Sequence, residues 1–393
     1  MPIACGRIRR PGPDGRRLDQ STIANRQSTI CFVRILIVDT YYSEFLSDLY
    51  RTEPGLATLG FHEQLCRIYA TGFSVGDAYS DGLRALGWDA REVICNADIV
   101  QAKWTEENGL KAATDNIHDR RRRIVAAQIE KFRPEVLYVF EWCPLGDSFL
   151  AEMKGKVRLL AGQIASPLPE NRTFAAYDLM ISSFPPIVEH FRSLGMDAEY
   201  LRLAFDPRIL DRLPLRQASR DVTFVGGFAP SHPNRQAWLE RVLQDVAVDV
   251  FGYGLDRLSL DSPIRRHHRG GAWGMEMYRI LQESKLTLNL HARIDIRGEV
   301  STRFANNMRL YEATGVGTCL VTDAKENLRE LFEPDREVVC FADDAECVEK
   351  LRYYLEHDEQ RRAVAEAGHR RTLREHTYPL RMRELDSLLH SRL

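Results

Sequence analysis

No Cys-x-x-Cys pair occurs in this chain of 393 residues, and its eight cysteines (5, 31, 66, 95, 143, 319, 340 and 347) have no histidine at zinc-ligand spacing. A sequence-evident zinc or dithiol motif is therefore excluded. The thiols are expected to be reduced and to serve as small apolar side chains, as in a cytoplasmic protein. No run approaches ~18 uncharged apolar residues, so no membrane-spanning helix is expected, which leaves peripheral membrane contact open. Excess positive charge is missing too: 54 Lys and Arg against 56 Asp and Glu give a net charge of −2. Nucleic acid is therefore not an expected partner, because its binders carry a basic footprint. There is no G-x-G-x-x-G and no G-x-x-x-x-G-K-[ST], so neither a dinucleotide fingerprint nor a P-loop is present. D-x-D is absent as well.

What is present is a soluble globular mix, 44% apolar and 28% charged, with enough length for two or three domains. The first 31 residues carry six arginines against Asp14 and Asp19 and have no apolar core segment. They are expected to form a disordered extension, or to result from an over-called start, rather than a secretory signal. From 32 onward the chain alternates. Phe32–Thr40 is an almost unbroken apolar run, as are Glu135–Glu141 and Val157–Ile164. Such runs read as parallel strands covered on both faces, and the intervening stretches read as helices. A Pro-containing segment after Ala204 marks a boundary, and a second alternating series follows it. The expected fold class is α/β, with two Rossmann-like domains, 32–205 and 206–378, facing across a cleft. The segment 379–393 is expected to form a final helix.

In open parallel sheets ligands bind beyond the carboxyl ends of the strands, so chemistry is sought there. The first half offers Asp39, Glu141 and, on the loop after Gly60, His62 as candidate bases. The second half offers Gly226-Gly227, where a strand ends in two glycines and backbone can approach a ligand closely. Ser231 or Asn234 could cap the helix that follows. Tyr253, His291 and Arg293 also fall in strand-end segments. Phe304, Met308 and Tyr311 predict a helix over about 303–314, capped by Ser301 or Thr302. On that helix Arg309 and Glu312 share a face, as an ion pair or as a cation for an anion beside a carboxylate for two adjacent hydroxyls. Lys325 reads as a plain surface lysine, and His267-His268 as a solvated pair.

The ordered series Phe224-Val225-Gly226, Val250–Gly254, Leu286–Leu290, Arg309-x-x-Glu312-Ala313-x-x-Gly315 and His376-Thr377-Tyr378 resembles the C-terminal half of GT-B glycosyltransferases. Within these it is similar to the spore-maturation (CgeB-like) and glycosyl transferase family 1 group. The resemblance covers about 160 residues. It implies transfer of a sugar from a nucleoside-diphosphate sugar to an acceptor hydroxyl, with no cofactor and no metal. Glu312 is implied to hold the ribose, Gly226-Gly227 to meet the diphosphate, and Arg309 to contact it. The terminal helix is implied to cross back onto the first domain. Phe304 stands where related retaining enzymes carry the first glutamate of E-x7-E, so the anomeric outcome is not implied. A glycan, a lipid-linked glycan, a protein or a small molecule could be the acceptor. A sugar-nucleotide epimerase and a non-catalytic nucleotide- or glycan-binding relative on the same fold are the alternatives.

Overall fold

A computed structural model describes residues 32–111, 114–140, 145–229 and 232–393. Six strands form the front sheet: β1 (Arg34–Asp39), β2 (Asp89–Ile94), β3 (Val136–Phe140), β4 (Leu159–Gln163), β5 (Leu179–Ser182) and β6 (Ala198–Tyr200). Their spatial order is β2-β1-β3-β4-β5-β6, with every pairing parallel. The rear sheet comprises β7 (Arg220–Val225), β8 (Asp249–Phe251), β9 (Ser284–Asn289), β12 (Cys319–Asp323) and β13 (Val339–Phe341), ordered β13-β12-β9-β7-β8 and again all parallel. Between β9 and β12 lies an antiparallel hairpin of β10 (Ile294–Ile296) and β11 (Glu299–Ser301).

The unbroken apolar runs have the expected cause. All five residues of β3 and of β4 are buried, because helices cover both faces of a parallel sheet. Each sheet therefore has two cores, one per face, built around Val38, Leu137 and Leu160 or Ile37, Tyr138 and Ile181 in front. The rear equivalents centre on Val222, Leu288 and Val321 or Val225, Leu310 and Leu320.

Both sheets have the strand order in which the chain first adds a strand on one side and then continues on the other. This creates a topological switch point, beside β1 and β3 in front and beside β7 and β9 behind. Asp39 ends β1 and Gly226-Gly227 follow β7. Sequence and topology thus put these residues at the two crevices where ligands bind.

The contacts that tie the halves together include the chain crossings, the returning helix and the hairpin. The chain crosses forward to back at Phe205 and returns at Thr377, and these segments lie side by side, with Phe205 N–H donating to His376 O (2.8 Å) and Tyr378 N–H to Phe205 O (3.0 Å). The returning helix Tyr378–His390 packs Met382 over Gly82 in the front-half helix Ala78–Ala85, and Trp88 Nε1 donates to Asp386 (2.7 Å). The β10–β11 hairpin, though rear in sequence, buries Ile294 and Ile296 in a front-sheet core and accepts the Leu168 N–H at Asp295 O (3.0 Å). Its tight turn places Arg297 and Gly298 at positive φ (57° and 92°).

The helix expected over 303–314 is shorter and spans Arg309–Gly315. Residues 303–308 are non-helical because other side chains pin them: Asn327 bonds both backbone groups of Ala305, and Asn306 bonds Ser183 (2.6 Å) and the carbonyl of Ala165 (3.0 Å). Phe304 then packs on the front core against Phe184, and Met308 against the other front core. Neither Ser301 nor Thr302 caps the helix; the residue preceding it is Met308.

Candidate active site

The strand-end loops of the rear sheet interlock through glycine. Gly252 has φ +152°, and a Cβ there would stand 1.9 Å from Gly226 O. A Cβ on Gly227 would meet the Tyr253 ring at 2.4 Å. Close approach is thus required at Gly226-Gly227, but the described partner is the neighbouring loop rather than open space. His268, expected to be solvated, is partly buried with Nε2 3.0 Å from the Gly252 carbonyl.

Tyr253 stacks on Trp273 (centroids 5.1 Å) and meets Tyr42 of the front half edge-on at 5.8 Å. Tyr42 follows the end of β1, so strand-end loops of the two sheets touch. Trp273 in turn packs on Phe73 and Phe45 of the front half.

Two guanidinium groups, that of Arg235 buried and that of Arg309 partly buried, flank the end of β7. Arg309, in the first turn of its helix, donates to Val225 O (3.2 Å) and places Nη1 3.0 Å from Glu312 Oε2, a charge contact without hydrogen-bond alignment; its Nε has no partner. Arg235 opens the helix Arg235–Val242 and donates to Gly227 O (2.6 Å) and Leu290 O (3.1 Å), again with Nε unpartnered. Burial first, and repulsion from Arg309 in addition, lower Arg235 to about 10. Glu312 is only 7% exposed, and burial raises its carboxyl against the opposing pull of Arg309.

His291, just beyond β9, is also buried. Its Nδ1 is 2.6 Å from Asp323 Oδ1, its backbone N–H donates to the same oxygen (3.1 Å), and its Nε2 has no partner. Lys325 is not the plain surface lysine expected: its side chain is 12% exposed, bonded to Asp323 (2.8 Å) and to Thr302 O (2.7 Å). Burial alone would raise the Asp323 carboxyl, but His291 and Lys325 overrule it and hold it well below the usual range. Nearby His232 is pushed down to about 3, by burial and then by the charges of Arg235 and His291. Arg293 is exposed and makes no hydrogen bond or ion pair with a described residue. Among the described residues no grouping of three or more His, Cys, Asp or Glu could hold a metal ion.

The front half is placed less tightly. Asp39 is buried at the switch point, accepts the Thr40 N–H (2.7 Å), and burial raises its carboxyl to about 7. Glu92, on the same sheet face, caps the helix Ala78–Ala85 by accepting the Ser80 N–H (2.8 Å), and burial raises it to about 8. His62 lies within the helix Phe61–Ala70 rather than on a loop; it is exposed, and its ring contacts Cys66. Nothing joins His62 to Asp39 among the described contacts. Glu141 and Ser231 lie outside the described residues, and Asn234 precedes its helix without a side-chain cap.

The raised carboxyls of Asp39 and Glu92 make stability pH-dependent. A carboxyl whose folded pKa is above its unfolded one stabilises below the unfolded value and loses that contribution as pH rises through the folded value. Thermal unfolding should therefore fall from about pH 4 towards pH 8, and Asp39→Asn with Glu92→Gln should flatten the decline. An unchanged slope in the double variant would reject this origin.

Sequence reasoning missed Arg235, Asp323 and His232. Arg235 stands first in the helix after the Gly-Gly loop, a position that could have flagged it. What marks it, the burial of a guanidinium beside a second one, depends on residues 74 positions apart.

Residues 235–387 match a family model described as glycosyl transferase-like. No curated protein sequence matches the chain. Among solved structures, the chain is similar to sucrose-phosphate synthase from Thermosynechococcus elongatus (TM-score 0.57, 11% identity, 91% of this chain and 98% of that one). It is likewise similar to a glycosyltransferase from Rickettsia africae (0.58, 10%, 92% and 99%) and to Anabaena HepE, solved in complex with UDP and glucose (0.57, 12%, 91% and 100%). Two parallel sheets and a terminal helix returning to the first half give the chain the GT-B fold of these solved structures, with a glycosyl transferase-like segment over 235–387.

Proposed function

We propose that the chain is a glycosyltransferase that uses a nucleoside-diphosphate sugar, with the diphosphate held at Arg309, Arg235 and His291 and the ribose diol at Glu312. The observation that carries the reading is the pair of guanidinium groups at the end of β7, both with buried N–H groups that lack a partner. Glu312 offsets one of these charges, and an anionic group at the unpartnered N–H groups would offset the other. The Asp323–His291 pair adds an imidazole held by one nitrogen and free at the other. Gly226, Gly227 and Tyr253 shape the backbone wall of the site, and Arg293, exposed beside it, is a further cation for the incoming donor.

In the reaction the bond from the anomeric carbon to the diphosphate oxygen breaks, and a bond to the acceptor oxygen forms. The acceptor proton passes to a base. Asp39 is the best placed of the described front-half candidates, since it sits at the switch point with a carboxyl raised towards neutrality. Fixed guanidinium groups supply positive charge where negative charge develops, so the reading requires no metal and no cofactor.

A thermal-shift panel of UDP, GDP, dTDP and CDP on wild type and Glu312→Ala tests this. One nucleotide should stabilise the wild type, and the variant should bind it about 10- to 100-fold more weakly, the worth of hydrogen bonds to a charged acceptor. Equal shifts in both proteins would remove Glu312 from the ribose role, and no shift with any nucleotide would overturn the donor assignment.

A further inference from the structure

Residues 303–308 lead into the helix that carries Arg309 and Glu312, and their contacts alternate between the two halves. Arg303 pairs with Glu326 of the rear half (2.8 Å), Ala305 lies in a rear core, and Asn307 Nδ2 donates to Asn289 Oδ1 at the end of β9 (2.7 Å). The residues between them face forward. Phe304 and Met308 pack on the two front cores, and Asn306 bonds two front strand ends. Such alternation belongs to extended chain, in which successive side chains point to opposite sides; here each side is a different half. Asn306 Nδ2 donates to Ala165 O beyond β4 (3.0 Å), and its Oδ1 accepts from Ser183 Oγ beyond β5 (2.6 Å). The hairpin just upstream is fastened to the same half, since Arg297 donates to the carbonyls of Glu170 (2.5 Å) and Arg172. The stretch from His291 to Arg309 thus has both ends in the proposed donor site and its middle anchored on the front half.

We infer that this seam holds the donor site in shape from the front half, and that Asn306 is a positioning residue for Arg309 and Glu312. Asn306 acts through the helix and not on the substrate. It stands three residues before Arg309, and its neighbours are pinned as well, Ala305 at both backbone groups by Asn327 (2.6 and 3.2 Å) and Asn307 by Asn289. A displacement at Asn306 therefore passes to the first turn of a helix only seven residues long. Functional side chains must be held within about 0.5 Å of their working geometry, and a remote change that moves one by about 1 Å costs on the order of 10²-fold. Two hydrogen bonds to the ends of a buried sheet supply such a constraint, and Ser183, which makes one of them, is itself buried. Coupling of this kind is reciprocal: a nucleotide bound by the rear residues must stabilise the front contacts to the same extent. The role in donor binding rests on the donor reading above; the mechanical join between the helix and the front half does not.

The test titrates the full chain with UDP, GDP, dTDP and CDP, well below its melting temperature, in wild type, Asn306→Ala, Ser183→Ala and the double variant. The best-bound nucleotide should lose about five- to fiftyfold in affinity in Asn306→Ala. Ser183→Ala should lose about threefold, and the double variant should bind no more weakly than Asn306→Ala, because both changes break one shared bond. A residue that only supports the fold would lower the melting temperature and leave the affinity of the folded chain intact. Wild-type affinity in Asn306→Ala would therefore overturn the inference, as would losses that simply add in the double variant. Ser183→Ala deletes a single hydroxyl and decides the matter if Asn306→Ala does not fold, since wild-type affinity there would also overturn it. Hydrogen exchange without nucleotide supplies a second arm. Asn306→Ala should speed exchange of the amides of 309–315 and of the front segment 165–184 together, by about tenfold; wild-type exchange at 309–315 would overturn the seam. Faster exchange in the variant, with no nucleotide bound by wild type, would support the seam and count against the donor reading alone.

Discussion

Arg309→Met is expected to lower kcat by about 10²- to 10³-fold with the nucleotide sugar that the thermal panel selects, the usual cost of one preorganised group opposite developing charge. The departing diphosphate gains charge as its bond to the sugar lengthens, so the loss falls on kcat more than on KM. Arg235 cannot compensate, because two of its donors are already committed to Gly227 O and Leu290 O. The same change has a second consequence. Removing the cation leaves Glu312 buried without its ion pair, and breaking such a pair costs on the order of 3–5 kcal/mol when the charge remains. Burial already raises this carboxyl, so it should take up a proton in the variant, and the stability deficit should shrink as pH falls. Arg309→Met with Glu312→Gln should recover most of the stability and none of the turnover. If the single variant kept more than a third of wild-type kcat, Arg309 would have no place at the diphosphate.

Gly252→Ala should destabilise the chain by about 3–5 kcal/mol, the sum of strain at a positive φ and overpacking against backbone. The added carbon would stand 1.9 Å from Gly226 O, and a carbonyl in the middle of two interlocked loops cannot swing aside as a side chain can. Gly226→Ala is the control. Its nearest neighbours would be the Phe224 ring at 3.1 Å and Arg235 Nη1 at 3.4 Å, so it should cost about 1 kcal/mol while disturbing the cation that holds the loop. Denaturant midpoints of the two variants check the contrast. A Gly252→Ala midpoint within 1 kcal/mol of wild type would mean that the loops are not packed as described.

The β-strands could be placed from sequence to within a few residues, because a strand buried on both faces must be continuously apolar: Ile35–Val38 and Val136–Phe140 have no solvent-facing residue to interrupt them. The segment 303–308 misled for a related reason. Phe304, Met308 and Tyr311 have helical spacing, yet two of them are buried by the other half of the molecule, and periodicity does not reveal which body does the burying. The β10–β11 hairpin escaped because its strands are three residues long and its apolar partners are more than a hundred positions upstream.

The order of residues by itself determined two alternating halves, their parallel sheets and thus the strand ends at which a ligand must sit, because these follow from local patterns repeated along the chain. Only the tertiary structure decided which side chains meet there. The pairing of Arg235 with Arg309, the seating of His291 on Asp323 and the bonding of Asn306 to Ala165 and Ser183 join residues distant in sequence. Burial, charge and unpartnered hydrogen-bonding atoms are properties of such meetings and of no single segment.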